Sequence, residues 1–389
     1  MIATLLVLGA LGVGDEVPVT FRVSVPDSTP ATARIFLAGS EPGVGRWKPD
    51  GVALTRDGEG RFSATVQLPR GHTLRYKITQ GSWRFVERGR EGSDRPDRVL
   101  LIDRDRVVDV EVLAWGGARG AAPPESTATG DIRLHQEFGS KHLVNSRTVA
   151  VWLPPGYKAS APRRYPVLYL HDGQNLFDAA TAAFGHEWQA DETAARLIRE
   201  GTIPPLIMIG IFNTNDRMNE YTTHKDADRE RGGRGEPYAR FLVEELKPFI
   251  DRTYRTRPEP EHTALAGSSL GGLISLEIAL RHPETFGKVA ALSPSLWWSN
   301  EQILQDVKTH HDAVKRLRVW IDMGTREGGK PDEPSPEIPR LRRLKSEFQG
   351  AGLTADRDLH IKEIEGGQHR EADWAARFPR VLTFLFAEP

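Results

Sequence analysis

The sharpest chemical signal in this sequence is Gly267-Ser-Ser-Leu-Gly271. A serine with glycine two residues before and two after, preceded by the apolar run Thr263–Ala266, fits the sharp turn that presents a nucleophilic hydroxyl between a strand and a helix. Strand and helix must cross too closely there for side chains, which is why glycines are needed. The strained turn then lifts the Ser269 hydroxyl clear of the sheet, and N–H groups at the helix start face the oxyanion that attack on an ester creates. Leu273, Leu276 and Leu280 continue at helical spacing, Ile274 and Ile278 widen the stripe, and Glu277 interrupts it. The plain alternative is an ordinary strand–turn–helix; a helix apolar nearly all round favours the buried elbow.

A serine nucleophile needs a base, and the base needs an acid to orient it; in this arrangement the acid and then the histidine follow the serine. Of His282, His310, His311, His360 and His369, only His369 occupies a loop directly beyond the last predicted strand, in Glu365-Gly-Gly-Gln-His369. Glu327, on the loop Gly324-Thr-Arg-Glu-Gly-Gly329, is the expected acid. Asp322, predicted to point into a packed layer, is its rival, and Asp332 lies further along. Besides the Leu270 N–H, a second oxyanion donor should come from the loop after an early strand, and Tyr169–Asp178 offers the backbone N–H of Gln174. Trp188, Trp297 and Trp298, with Phe177, fall in nearby loops and could wall a substrate cleft or simply pack beneath those loops. With no H-E-x-x-H, no G-x-x-x-x-G-K-[ST] and no cysteine, neither a metal nor a cofactor is expected.

These residues need a frame. From Asp131 onward, predicted strands alternate with helices, the sign of a mostly parallel sheet covered on both faces. Before it, Val17–Leu113 has short alternating runs broken by Gly, Pro and Asp, as in a small sandwich. Gly116–Gly130 is rich in Gly, Pro, Ser and Thr and reads as a linker. The expected organisation is therefore an α/β-hydrolase fold over 131–389, preceded by an immunoglobulin-like all-β sandwich over 15–115 and a linker over 116–130. Residues 1–14 have the length and small-x-small end of a signal peptide, which implies export, and their apolar run is too short to span a bilayer. A net charge of −1 gives no electrostatic case for nucleic acid as a partner.

Two family resemblances follow from particular residues. Ala38-Gly-Ser40, Val44-Gly-Arg-Trp47, Val66-Gln-Leu-Pro69, Arg75-Tyr-Lys77 and Pro96-Asp-Arg98 resemble the family 20 starch-binding module. That resemblance implies a glucan-binding platform built on Trp47, with Lys77 nearby and a second aromatic for which Trp83 and Phe85 compete. Leu170-His-Asp-Gly-Gln-Asn-Leu-Phe-Asp178, Gly185-His-Glu-Trp188, Asn213 with Arg217 and Glu220-Tyr221, Gly267–Gly272, Ser293-Pro-Ser-Leu-Trp-Trp298 and Gly324-Thr-Arg-Glu327 resemble the esterase family related to enterochelin esterases, feruloyl esterases and mycolyltransferases. It implies Ser269, Glu327 and His369 as the catalytic set, with Gln174 and Leu270 as oxyanion donors. Together they suggest a serine carboxylic-ester hydrolase acting on feruloyl- or acetyl-type esters on or near glycans. The alternatives are a siderophore esterase, an acyltransferase using the same residues, and a glycan-binding protein without catalysis.

Overall fold

The computed structural model describes residues 16–387 apart from 58–60, 90–94, 96, 117–125, 184, 215, 228 and 329–334. The expected signal peptide, most of the expected linker, Pro96 and Asp332 lie outside the described residues. The chain divides into two compact units, Met1–Pro123 and Pro124–Pro389.

The first unit is all-β. Its main strands are β1 (Glu16–Ser24), β2 (Ile35–Gly39), β3 (Val52–Arg56), β4 (Phe62–Pro69), β5 (Thr73–Thr79), β6 (Arg98–Leu101) and β7 (Arg106–Glu111), paired in the order β6-β5-β2-β3-β4-β1-β7. β3 joins two sets of strands: Val52–Leu54 pair with β2, whereas Thr55 and Arg56 pair with β4. Alternation then buries one face of each set. Val19, Phe21 and Val23 from β1 share a core with Leu74, Tyr76 and Ile78 from β5, and the Phe21 and Tyr76 rings meet edge to face at 5.1 Å.

The second unit is built on an eight-stranded sheet. Its strands are β8 (Asp131–Phe138), β9 (Arg147–Leu153), β10 (Val167–His171), β11 (Ile207–Ile211), β12 (Thr263–Ser268), β13 (Lys288–Leu292), β14 (Arg318–Gly324) and β15 (Leu359–Ile364), in the order β8-β9-β11-β10-β12-β13-β14-β15. β8 and β9 are antiparallel to their neighbours and the other six run parallel. The central strands read as unbroken apolar runs because both faces are covered. On one face Tyr169, Ile209, Leu265, Val289 and Ile321 pack under helix α2 (Leu270–Arg281) and α3 (Glu337–Gly350). On the other, Leu168, Met208, Ala264, Ala290 and Trp320 pack under α1 (Ala190–Arg199) and α4 (Glu371–Phe386). Among the described residues no helix is long and apolar enough to cross a membrane.

Parallel strands put all their C-terminal ends on one edge, so the loops after β10, β12, β14 and β15 gather there. A buried ion pair holds one side of that edge. Arg147 at the start of β9 reaches Glu220 through two hydrogen bonds of 2.7 and 3.1 Å, and its guanidinium lies over the Tyr238 and Phe241 rings. This fixes the short helical turn Arg217–Glu220, whose first residue serves the loop after β10.

Candidate active site

Ser269 follows β12 directly and adopts φ 57°, ψ −125°, a backbone conformation that side chains other than glycine rarely accept. The turn is forced by contact. A Cβ on Gly267 would lie 2.6 Å from the Gly271 carbonyl carbon, and one on Gly272 would lie 3.1 Å from the Gly267 oxygen. Backbone bonds lock the serine in place: its N–H donates to Leu292 O, and its carbonyl accepts from the N–H groups of Leu273 and Ser295. The Ser269 hydroxyl is 3.3 Å from that of Ser295. Glu277, which breaks the apolar face of α2, is buried and accepts the Thr223 N–H at 2.9 Å.

Gly271 also lies against the loop after β10, where an added Cβ would come 3.1 Å from His171 Cβ and 3.3 Å from Asp172 Oδ2. The Gln174 turn and the N-terminus of α2 therefore share one corner of the sheet edge. Among the described residues, no carbonyl outside their own helices accepts the N–H of Gln174 or of Leu270. Asp172 holds the loop in a left-handed conformation, with φ 57°. Its carboxylate receives Arg217 through two bonds of 2.7 Å and Asn213 through one of 2.6 Å. Burial pushes this carboxyl up, but the charge and hydrogen bonds of Arg217, helped by Asn213, bring it below the ordinary aspartate value. The neighbouring His171 hydrogen-bonds to the Tyr238 hydroxyl at 3.0 Å, and burial lowers its pKa to about 3, so it is a neutral core residue.

In the loop after β15, His369 Nδ1 lies 2.9 Å from Glu327 Oε2. Glu327 is 2% exposed, and its second oxygen accepts the Ser293 hydroxyl at 2.6 Å and the Gly324 N–H at 2.7 Å. Burial alone would raise this carboxyl, but the bonds from His369, Ser293 and Gly324 hold it below the usual glutamate value. The rival Asp322 is fully buried and paired elsewhere, with Arg377 and with Trp320 Nε1 at 2.9 Å. His360 is removed too, stacked on Trp320 at 4.1 Å.

Sequence reasoning missed the residues that hold this acid. Ser293 takes hydrogen bonds from Trp374 Nε1 at 2.9 Å and Arg377 at 3.3 Å while donating to Glu327. Trp374 also meets the His369 ring edge to face at 5.0 Å. The available signal was Arg377 beside Phe378 on the apolar face of the helix, three residues after Trp374 and so on the same side. Glu371, at the start of α4, was missed as well. It is buried, and burial raises its carboxyl to about 7 against the opposing charges of His369 and Arg217, with Asp172 pushing further upward.

The aromatic cleft expectation needs correcting. Trp188 is buried against Trp374 and Phe378, and Trp298 is buried with its indole N–H on His224 O, because both point into the layers that support their loops. Phe177 is likewise buried. Trp297 is half-buried, stacked by Arg229 at 4.6 Å, and remains available. In the first unit, Trp47 and Trp83 come together, half-buried, with ring centroids 6.1 Å apart. Lys77 is turned inward, its ammonium on Arg95 O and 3.7 Å from Asp97.

A mostly parallel sheet with a strained serine after a central strand places the second unit among the α/β-hydrolases. Residues 140–385 match the family model Esterase, described as "Putative esterase", and the chain belongs to this family of carboxylic-ester hydrolases. Residues 16–88 match the starch binding domain model. Among relatives, YbbA of Bacillus subtilis is 26% identical over 257 residues, covering 64% of this chain and 96% of that protein. An endo-1,4-beta-xylanase/feruloyl esterase of Xylanibacter ruminicola is 29% identical over 257 residues, covering 64% of this chain and 30% of that one. The ferri-bacillibactin esterase BesA of Bacillus subtilis is 30% identical over 182 residues, 43% of this chain and 59% of its own. The enterobactin esterase FES of Shigella flexneri shares the fold over 96% of this chain and 94% of its own, at 17% identity and a TM-score of 0.53.

Glu371 supplies a pH test. Its folded pKa is raised, so its contribution to stability is fully present below the unfolded value of about 4.5 and is lost as pH rises through about 7. Glu371→Gln should therefore gain stability over wild type by about 2 kcal/mol more at pH 8 than at pH 5. Urea denaturation at the two pH values checks this; an equal difference at both would mean that the carboxyl does not titrate within the fold.

Proposed function

We propose that the protein is a serine esterase in which Ser269, His369 and Glu327 form the catalytic triad at a nucleophile elbow. The observation that carries this reading is the 2.9 Å bond between His369 Nδ1 and an otherwise satisfied, buried Glu327. That bond fixes the tautomer: Nδ1 carries the proton, leaving Nε2 free to take one from the Ser269 hydroxyl as its oxygen attacks the ester carbonyl. Glu327 then stabilises the imidazolium, while the Leu270 and Gln174 N–H groups receive the tetrahedral oxyanion. Collapse passes the proton to the departing alcohol and leaves an acyl group on Ser269. Water activated by His369 removes it by the reverse sequence.

For substrate we favour an ester on or near a glycan, of the feruloyl or acetyl type. The Trp47–Trp83 pair offers two apolar ring faces of the kind that stack on sugars, within residues that match a starch binding domain. Lys77 acts on this reading as a buttress of that platform. The all-β unit fits an immunoglobulin-like sandwich joined to the hydrolase near residues 116–130, and the apolar start of the chain fits export to where glycans are met. The second reading is a siderophore esterase, favoured by the fold likeness to an enterobactin esterase that spans both units.

Ser269→Ala and His369→Ala should each lower kcat by roughly 10⁴-fold or more with the circular dichroism spectrum unchanged. Activity within about tenfold of wild type in either variant sinks the triad. Trp47→Ala should lose retention on insoluble starch while keeping kcat on a small soluble ester; retention equal to wild type would dismiss the platform. Comparative kinetics separate the substrate readings. Feruloyl or acetyl sugars should give the higher kcat/KM, and a catecholate lactone preferred by roughly a hundredfold, about 2.7 kcal/mol of transition-state preference, would establish the siderophore reading instead.

A further inference from the structure

Away from the catalytic edge, one group of carboxylates has no counter-charge. Glu187, Asp191 and Glu192 present oxygens that all lie within 4.8 Å of one another. Asp191 is 0% exposed and Glu187 8%, yet Asp191 Oδ1, Glu187 Oε2 and Glu192 Oε2 are each buried with no hydrogen-bond partner. The remaining oxygens of the two buried groups are fixed. Thr127 Oγ1 donates to Glu187 Oε1, and Thr129 donates to Asp191 Oδ2 through its N–H at 2.6 Å and its hydroxyl at 2.8 Å. These bonds orient both carboxylates and leave their free oxygens aimed into the cluster. Among the described residues no Lys or Arg pairs with any of the three.

The nearest source of positive potential falls short of this charge. Asp191 and Glu192 open helix α1, whose dipole end carries roughly half an elementary charge, too little to balance three carboxylates. The one other such trio among the described residues, His224, Glu277 and Asp306, already holds a cation, since Arg281 donates to Asp306 at 3.1 Å.

We propose that Glu187, Asp191 and Glu192 form a structural site for a hard divalent cation of the calcium type, bound through oxygen alone. Calcium suits a cage of buried carboxylates, whereas magnesium gives up its water reluctantly. Glu192 and Thr129 also border a cavity of ≈ 540 Å³, which gives an ion a route from solvent and room for water ligands. The site takes no part in the chemistry, but it is wired towards it. Thr127 Oγ1 also accepts the Ala179 N–H at 2.9 Å, and Thr181, two residues on, donates its hydroxyl to Gln174 O at 2.7 Å. A cation on Glu187 therefore anchors the loop that carries Gln174. It also assigns a role to the Gly185-His-Glu-Trp188 stretch that the proposed esterase chemistry leaves without one.

The test uses the full chain, stripped with EDTA and dialysed against calcium chloride. About one calcium per chain should be retained, and Tm should rise by about 5 °C or more at a hundredfold excess over Kd, with a weaker response to magnesium chloride. Glu187→Gln and the more exposed Glu192→Gln should each weaken calcium binding at least about tenfold, and either variant that folds suffices. Absence of calcium binding and of any Tm shift would overturn the site, as would equal binding by wild type and variants, which would put the ion elsewhere. A Tm that ignores calcium and climbs towards acidic pH less steeply in Glu192→Gln than in wild type would overturn the site in favour of a proton shared among the carboxylates, and a stronger response to magnesium would overturn the calcium assignment.

Discussion

Between β12 and α2 there is no room for a side chain, and much of the second unit follows from that. The crossing needs glycine at 267 and leaves little space at 272, and Ser269 takes up a conformation whose strain the surrounding backbone bonds must hold. It seats α2 so deeply that nearly every residue of the helix is buried, hence its apolar sequence. The same missing side chain at Gly271 lets the His171–Asp172 loop close against the helix start. Two free N–H groups thereby reach one corner without any side chain having to aim them.

The second constraint is charge in a dry interior. Arg147 with Glu220, Arg217 with Asp172 and Arg377 with Asp322 are paired ions next to, or one layer beneath, the catalytic edge. Such pairs contribute little net stability, because desolvation offsets most of their attraction, but removing one partner is expensive. Their value here is positional. Each ties a helix or helical turn to a strand or the loop that follows it, and Glu327 is satisfied by Ser293, Gly324 and His369.

The strained turn at Ser269 and the contact between Glu327 and His369 rest on local features of the sequence: a glycine-framed turn and two loops, each directly following a predicted strand. The closeness of the loop after β10 to the start of α2 has the same local origin. What failed was side-chain direction. Trp188 and Trp297 both sit in loops by sequence, and only packing separates the buried ring from the available one. The contact that Ser293 shares with Trp374 and Arg377 was not legible, because it joins segments far apart in the chain, and Arg377 on the apolar face of α4 was its one local trace. The edge strand β8, Asp131–Phe138, carries mostly polar residues half in solvent and so lacks the alternation that marks a strand. Residues 126–130, by composition part of a linker, are instead bound to Asp178, Glu187 and Asp191 by hydrogen bonds to their side chains that no periodicity records.

The dependence of Glu327 and Ser293 on α4 also sets an order in time. A chain leaving the ribosome or a translocation pore exposes the elbow first, and about 100 residues separate Ser269 from His369. At a synthesis rate of roughly 5–20 residues per second, the serine waits some 5–20 s before its histidine exists, and slightly longer before Trp374 and Arg377 can clamp the acid. On the proposed triad, the emerging polypeptide carries during that interval a serine without its base, so a nascent chain would not attack esters before its fold is closed.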